Sequence, residues 1–408
     1  MNKIFYCFFF LGLTFPAEFG QYELIYIGPI ILRLFDIFIM ISVLYILFHI
    51  KFYFVEGNNL SNPLFQLILL YFFWGIFSGV FFGALSFGYR SFGEARINTW
   101  SVLIFFLIIL IINSKYDLLK LVKLVFVSQI ILMTIALAKT ITSSDDLERI
   151  MNSAEAFSLY AIVISVLFVL STQLYNEKKL KVFVGIASIF LVISGQKTIW
   201  MLFVFGLLMY LFIEKKFIAF YKLIPALILV GFITYIVVSK VSNLQTVLEY
   251  QYSLLQEGEE GHTIVWRALM WKASIEKIKQ NPILGEGYGG YNEDVIINDK
   301  FNVTPIHSAY FDKMVKIGIP GLILFILIML KFLLESRRFL KASTNTYYNS
   351  IMKGCIVIIL SYILFFVTYG ETFLFWIVVA VGYKILNEKN NAAFYPLIES
   401  YSAKLIRI

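Results

Sequence analysis

The residue types best suited to chemistry are gathered in one polar stretch, residues 239–316, of an otherwise apolar chain. His307 lies near the end of this stretch, and an imidazole can take up a proton near neutral pH, as a general base must. A glycine-dense segment, Gly285 to Gly290, precedes it and allows tight turns or a close backbone approach to a partner. His307 is therefore the first catalytic candidate, with a surface or capping histidine as the alternative.

The same residues argue against metal chemistry. His262 and His307 are 45 residues apart, and the carboxylates of residues 257–260 have the pattern of a hydrophilic turn rather than of a ligand set. Cys7 and Cys355 lie in apolar runs far apart in the chain, so they suggest neither a disulfide framework nor a thiolate cluster. We therefore predict a site that works without a metal ion or a cofactor.

The elements that must position these residues are transmembrane helices. The 408 residues are 60% hydrophobic, 18% aromatic and 15% charged, whereas soluble domains are about 45 to 50% apolar and about 25% charged. This composition excludes a cytoplasmic enzyme, a secreted disulfide scaffold and a disordered chain. Lipid-exposed backbone must be a helix or a closed barrel, and the apolar runs lack the alternation of barrel strands. We predict an all-α fold, a polytopic bundle forming one integral membrane domain over residues 1–408.

About twelve apolar segments are long enough, or nearly so, to cross a bilayer. The first follows Lys3 but lacks a small-residue cleavage site, so we expect a retained span rather than a removed signal peptide. The segments lie near residues 4–17, 30–50, 64–83, 100–113, 121–139, 157–174, 182–195, 198–213, 217–238, 317–334, 352–369 and 372–387.

The basic residues predict the orientation. With a cytoplasmic N-terminus, twenty Lys and Arg side chains fall on the cytoplasmic side, against five in the short outer loops: Arg90, Arg96, Lys139, Arg149 and Lys197. This positive-inside asymmetry places both termini in the cytoplasm and residues 239–316, between spans 9 and 10, in the periplasm. Anionic lipid accounts for the net charge of +8, so no nucleic-acid partner is expected.

The large periplasmic loop is expected to be partly helical. Residues 262–278 carry apolar side chains at helical spacing, with Trp266 and Trp271 suited to the headgroup zone, and Asn281 with Pro282 ends the pattern. This spacing predicts an amphipathic helix near the membrane surface, followed by the glycine-dense turn.

Four short motifs follow one another in or just after the large outer loop: R-x3-W, N-P-x2-G-x-G, H-[S/N]-x-Y and G-I-x-G. The residues that carry them are Arg267 and Trp271; Asn281, Pro282, Gly285 and Gly287; His307, Ser308 and Tyr310; and Gly318, Ile319 and Gly321. This order resembles the O-antigen polymerase and O-antigen ligase superfamily of bacterial membrane glycosyltransferases. A further element is a short outer turn where the family usually has arginine and this chain has Lys197, which lacks the guanidinium fork.

The resemblance implies roles for these side chains. Displacing a lipid pyrophosphate from an anomeric carbon requires cations at the leaving group, a base for the acceptor hydroxyl and an apolar wall for the polyprenyl chain. Arg267 would be the main cation and Lys197 the second, His307 the base, and Glu286 and Tyr288 would orient the acceptor sugar. The alternatives are an arginine that reaches lipid headgroups and an idle surface lysine.

Arg90 and Arg96 are further candidates for glycan contact, and solvated loop charge is the alternative for both. The implied partners are undecaprenyl-pyrophosphate-linked oligosaccharide and membrane lipid, with a chain-length regulator and a flippase as further candidates. The implied location is the bacterial inner membrane.

These features favour the polymerase of a surface polysaccharide such as O antigen. An O-antigen ligase that transfers glycan to lipid A core is the nearest alternative, because nothing in the motifs separates the two. A lipid-linked oligosaccharide flippase or transporter is a rival from another class. Its spans would need charges along an aqueous path, whereas these interiors are almost without charge.

Overall fold

The structure is a computed structural model, and it describes the parts of the chain given next. The described residues are 23–27, 30–49, 59–88, 90–112, 117–118, 120–127, 130–131, 134, 162–170, 197–215, 263–289, 296–297, 301–302, 308–367, 369–370 and 372–388.

Helices dominate the described residues, as the all-α prediction requires. Their bounds are α1 Leu34–Phe48, α2 Pro63–Trp74, α3 Gly83–Phe87, α4 Arg90–Ile111, α5 Lys197–Ile213, α6 Thr263–Gln280, α7 Ala309–Ala342, α8 Thr346–Phe365 and α9 Phe373–Glu388. A π-helical segment, Gly75–Phe82, joins α2 to α3 without a break in the helical chain.

Two short antiparallel hairpins occur within the described residues, and the all-α prediction did not include them. β1 (Glu23–Ile27) pairs with β2 (Ile30–Arg33) just before α1, and β3 (Ile296–Ile297) pairs with β4 (Phe301–Asn302) inside the predicted loop. Residues 30–33 fall within the predicted second apolar segment. The apolar run alone did not distinguish these extended residues from the helix that follows them.

Three described helices are long and apolar enough to cross a bilayer: Pro63–Phe87, Ala309–Ala342 and Thr346–Phe365. Shorter apolar helices cover Ser101–Ile111, Met201–Ile213 and Phe373–Asn387. The predicted segments at 4–17, 182–195 and 217–238 lie outside the described residues, so the number twelve stays a prediction.

Exposed apolar stripes show which helix faces would meet lipid. On the α2–α3 helix the stripe comprises Leu70, Phe73, Phe77, Phe81 and Leu85, and on α7 it comprises Ile319, Ile323, Leu327, Leu330 and Leu334. Both stripes repeat every three or four residues, which puts their members on one helical face. Apolar faces of this length are out of place in water and fit the bilayer that the composition requires.

The helices meet in a core of aromatic rings. Phe325 of α7 lies 5.8 Å from Tyr71 of α2, 5.4 Å from Phe366 and 5.3 Å from Phe375 of α9, measured between ring centroids. Phe325, Phe366, Phe375 and Trp376 are each 0% exposed. This core holds α2, α8 and α9 around α7, the helix against which the site is built.

Helix α7 begins inside the predicted loop, eight residues before the predicted span at 317. Its 34 residues would extend about 51 Å, well beyond a hydrocarbon core of about 30 Å. The helix is interrupted at Ile317 and Gly318, and its exposed apolar stripe starts directly afterwards at Ile319. The polar first part, residues 309–316, is thus separated from the apolar span by a kink.

Candidate functional site

The kink in α7 releases backbone groups that a regular helix would pair. Ile317 has φ −127° and ψ 16°, Gly318 has φ 72° and ψ 176°, and Pro320 follows within the helix. Proline has no N–H, so it gives the carbonyl of Lys316 no helical partner. Buried carbonyls without a partner are costly, and another segment must supply the missing donors.

The glycine loop, residues 281–289, supplies them. The N–H of Glu286 donates to the carbonyl of Val315 at 2.7 Å, and the N–H of Gly287 donates to that of Lys316 at 3.1 Å. In return the N–H of Ile319 donates to the carbonyl of Pro282 at 2.8 Å. We call this contact between residues 281–289 and 315–319 the kink interface.

The glycines of the loop are required by space as well as by conformation. Gly285 has φ 70°, and a Cβ there would lie 2.6 Å from the carbonyl oxygen of Val315. Gly287 has φ 82° and lies against the backbone of Gly83 in α3. The N-P-x2-G-x-G motif is therefore packed tightly between α7 and α3, which explains why both positions are glycine.

The π-helical segment contacts the other side of the glycine loop. The carbonyl of Gly79 accepts the N–H of Tyr288 at 2.8 Å, and Ser78 Oγ donates to the carbonyl of Leu284. Trp74 Nε1 donates to the carbonyl of Ile317 at 2.8 Å. Tyr288 is 4% exposed, with its ring packed against Gly79. The structure thus places Tyr288 in the core, and its predicted contact with sugar stays a prediction.

A cluster of buried charges lies beside the kink interface. Lys316 Nζ forms ion pairs with Glu94 of α4 and with Asp312, one turn earlier in α7. The second oxygen of Glu94 accepts the N–H of Gly289 at 2.6 Å. The Lys316 and Asp312 side chains are 10% and 11% exposed. We call Glu94, Asp312 and Lys316 the charged centre; it joins α4, α7 and the end of the glycine loop.

Glu286, predicted to bind substrate, has a partner on α6. Lys277 Nζ lies 2.9 Å from Glu286 Oε2, and each side chain is 13% exposed. The pair ties the glycine loop back to the end of α6. In this structure the Glu286 carboxylate is therefore engaged within the protein.

Helix α6 confirms the predicted amphipathic helix and packs on the first turns of α7. Met270 and Val315 are 0% and 1% exposed, and the rings of Trp271 and Phe311 stack with centroids 5.5 Å apart at 22°. Trp271 contacts Phe311 of α7, and Pro282, two residues after the end of α6, contacts Ile319 further along α7. The two segments therefore run in the same direction.

Two buried nitrogens on α6 have no hydrogen-bond partner among the residues that the structure describes. They are Nε of Arg267 and Nε1 of Trp271. The two residues are four positions apart in one helix, so their side chains lie on the same face, one above the other. We call this pair the donor face. Burial of an unpaired N–H costs about 1 to 3 kcal/mol, which makes two such groups together unusual.

His307 lies outside the described residues, but the chain immediately after it is held firmly. The N–H of Ala309 donates to the carbonyls of Phe366 and Tyr369, both at 2.9 Å, and Ser308 Oγ donates to Phe366 at 3.2 Å. Tyr310 Oη donates to the carbonyl of Ile363 at 2.9 Å. The end of α8 therefore fixes where α7 starts.

For Lys197, Arg90 and Arg96 the structure describes the backbone only. Lys197 is the first residue of α5, Arg90 is the first of α4, and Arg96 lies in the second turn of α4. Glu94 of the charged centre lies between the two arginines in α4, so both belong to the helix that contacts the site.

Sequence reasoning missed Glu94, Asp312 and Lys316. A signal was present, because Asp312 and Lys316 have the i, i+4 spacing of an ion pair directly after the histidine motif. Nothing in the sequence links Glu94 to them. Within the described part of the chain, no group of three or more His, Cys, Asp or Glu side chains could hold a metal ion. Metal independence stays a prediction.

The apolar helices and their exposed stripes define a multi-pass membrane protein with a polar site where α4, α6 and α7 meet. Residues 182–326 match the model of a family described as O-antigen ligase. The matched region contains Arg267, the glycine loop and the kink of α7, and the match confirms the predicted resemblance to the O-antigen polymerase and ligase superfamily.

A protein of Haemophilus influenzae (strain ATCC 51907 / DSM 11121 / KW20 / Rd), described as uncharacterized, is 26% identical over 200 residues. The aligned region is 44% of this chain and 48% of that protein, so the chain spans about half the length of the curated relative it matches.

Proposed function

We propose that the protein is the polymerase of a bacterial surface polysaccharide such as O antigen. It would transfer glycan from undecaprenyl pyrophosphate to a lipid-linked repeat unit on the periplasmic side of the inner membrane. The family match supports a role in this kind of assembly, and its region contains the donor face together with Asp312 and Lys316 of the charged centre. A chain-length regulator and a flippase remain candidate partners.

The observation that carries the proposal is the common direction of α6 and α7. Trp271 lies beside Phe311 in the first turn of α7, and Arg267 lies one turn earlier in α6. In the chain, His307 stands two residues before the start of α7. On this basis we propose that the leaving-group cation and the base, 40 positions apart in the chain, act together.

The proposed reaction is a displacement at the anomeric carbon. The acceptor hydroxyl oxygen forms a bond to that carbon while His307 takes its proton, and the bond from the carbon to the pyrophosphate oxygen breaks. The electron pair leaves with the lipid pyrophosphate. Arg267 stabilises the negative charge that develops there, with Lys197 as the second cation. Arg90, Arg96, Glu286 and Tyr288 remain candidates for substrate contact.

An O-antigen ligase is the second candidate, because the family whose model matches residues 182–326 is described by that activity. The two reactions share the donor and the leaving group and differ only in the acceptor. The residues of the site assigned to the leaving group would then serve either enzyme.

The test is electrophoresis of the cell-surface glycan from a deletion strain complemented with variants. We expect Arg267→Ala and His307→Ala to abolish the long-chain ladder, because each removes a group that stabilises the transition state. Arg337→Ala, an exposed arginine near the other end of α7, should keep the wild-type ladder and controls for loss of charge. Membrane levels of each variant are measured by immunoblot.

The residual pattern distinguishes the two candidates. Lipid core carrying a single repeat unit identifies a polymerase, whereas core without any repeat unit identifies a ligase. A wild-type ladder in the strains with Arg267→Ala and His307→Ala would remove both residues from the mechanism.

A further inference from the structure

We propose that Trp271 is a second hydrogen-bond donor to the pyrophosphate leaving group, acting with Arg267; this deepens the proposed function and rests on it. The donor face is its basis. Nε of Arg267 and Nε1 of Trp271 are both buried, both carry a hydrogen, and neither has a partner among the described residues. Their spacing of one helical turn lets a single ligand reach both.

The position of the Trp271 ring is set by packing. It stacks on Phe311 of α7, and it joins the apolar cluster of Met270 and Val315. An indole held in this way points its N–H in one direction, so a ligand need not order it on binding. Arg267 lies one turn before Trp271 in α6, so the two N–H groups follow each other along one face of that helix.

A second tryptophan shows the ordinary behaviour of such a group in this protein. Trp74 is also partly buried, yet its Nε1 donates to the carbonyl of Ile317 at 2.8 Å. Tyrosine and tryptophan usually find a partner when buried, and Trp74 follows this rule. Trp271 differs from Trp74 in this respect, although both contact α7.

The chemistry of the donor face selects an anion with several acceptor oxygens. Both groups only donate, and one belongs to a guanidinium that stays charged. A sugar hydroxyl would leave the positive charge without compensation, whereas a phosphate oxygen accepts both hydrogen bonds and carries the opposite charge. In the proposed reaction that anion is the pyrophosphate, which gains charge as its bond to the sugar breaks.

Phosphate could reach the donor face from two sources, the substrate pyrophosphate or a phospholipid headgroup. Purified full-length protein is therefore placed in nanodiscs of phosphatidylcholine alone and, separately, of phosphatidylcholine with phosphatidylglycerol. Binding of inorganic pyrophosphate is measured by isothermal titration calorimetry. The variants are Trp271→Phe, which keeps the ring on Phe311 but loses the N–H, and Arg267→Lys, which keeps the charge but loses Nε. The matched control is Trp74→Phe.

We expect Trp271→Phe to bind pyrophosphate about tenfold more weakly than the wild type, as loss of one charge-assisted hydrogen bond implies. Arg267→Lys should weaken binding at least as much, and Trp74→Phe should keep wild-type affinity. Circular dichroism checks folding; if Trp271→Phe does not fold, Arg267→Lys decides, and wild-type affinity in that variant overturns the proposal.

Three other outcomes also overturn it. The first two are failure of the wild type to bind pyrophosphate and wild-type affinity for it in Trp271→Phe. The third is loss of pyrophosphate binding only in discs that contain phosphatidylglycerol, which would assign the donor face to a lipid headgroup. The glycan ladder separates this proposal from the proposed function. If the protein restores the glycan ladder of the deletion strain but Trp271→Phe binds pyrophosphate as tightly as the wild type, only the role of Trp271 is refuted. If Trp271→Phe binds pyrophosphate more weakly but the deletion strain has no glycan defect, the proposed function is refuted.

Discussion

The kink interface and the donor face both contact the first turns of α7, and they treat buried polar groups in opposite ways. At the kink interface, the carbonyls of Val315, Lys316 and Ile317 each receive a hydrogen bond from another segment. At the donor face, Arg267 and Trp271 each keep a buried N–H without a partner among the described residues. The contrast separates polar groups that are satisfied within the protein from polar groups that have no partner among the described residues.

This difference bears on how the family motifs are interpreted. The N-P-x2-G-x-G motif looks like a loop for binding a ligand, but its backbone groups are used within the protein to repair the break in α7. The R-x3-W motif looks like an ordinary amphipathic pattern, but it carries two of the buried donors that have no partner among the described residues. In this protein the glycine motif therefore has a structural role, and the R-x3-W motif contains the buried donors without a partner among the described residues.

The largest effect is expected from breaking the kink interface. Gly287→Ala places a methyl group against the backbone of Gly83 at a φ of 82°, so the loop must leave the kink and expose its carbonyls. We expect loss of most folded protein, measured by size-exclusion chromatography and thermal unfolding in detergent.

Gly88→Ala is the matched control for this substitution. Gly88 also has a positive φ, 60°, but nothing lies within 4 Å of the added methyl group. It should show only backbone strain, about 1 to 3 kcal/mol. Similar unfolding temperatures for Gly287→Ala and Gly88→Ala would show that the close approach to Gly83 does not stabilise the fold.

The charged centre should give the next largest effect. Lys316→Met leaves Glu94 and Asp312 as two carboxylates in a mostly buried site, and removal of one partner from a buried ion pair typically costs about 3 to 5 kcal/mol. We expect a clear drop in the unfolding temperature and faster proteolysis of the segment that contains Gly289.

The surface pair Lys279 and Glu276 supplies the comparison, because its side chains are 65% and 60% exposed. Lys279→Met should be close to neutral, as exposed ion pairs contribute little. The role assigned to the charged centre is wrong if Lys316→Met and Lys279→Met unfold at the same temperature.

The smallest effect is expected when the stabilities of Trp74→Phe and Trp271→Phe are compared in the absence of any anion. Trp74→Phe removes the donor to the Ile317 carbonyl and should destabilise the protein by about 1 to 3 kcal/mol. Trp271→Phe removes an unpaired donor instead, so it should be neutral or slightly stabilising by comparison. Thermal unfolding of both variants in phosphate-free buffer measures the difference, and a reversed order would contradict the contrast between the two regions.

Much of the helical fold could be predicted from the sequence. The run at 352–369 corresponds to α8, and the amphipathic pattern at 262–278 corresponds to α6, which ends at Gln280 just before the predicted stop at Asn281. Apolar runs and helical spacing are local properties, so they can be recognised without knowledge of the packing. The early start of α7 was missed, because residues 309–316 are too polar to count as part of a span.

The site was predictable only in part. Arg267 was recognised through its motif, and Trp271 was noted for the headgroup zone and as part of the R-x3-W motif, without a role as a donor. Glu94 was missed because its partners, Lys316 and Gly289, are about 200 positions away in the chain. Tyr288 was expected to face sugar, yet its ring is 4% exposed because Gly79 leaves room for it in the core.

The sequence by itself determined that the chain is a helical membrane protein, that its longest polar stretch is residues 239–316, and which family it resembles, because composition and motifs are local. Only the tertiary structure decided which polar groups are satisfied. The carbonyls at the kink accept hydrogen bonds from the glycine loop, the charged centre joins three segments, and Arg267 and Trp271 each have a buried N–H without a partner among the described residues. Satisfaction of a hydrogen bond depends on partners distant in sequence, and folding alone brings them together.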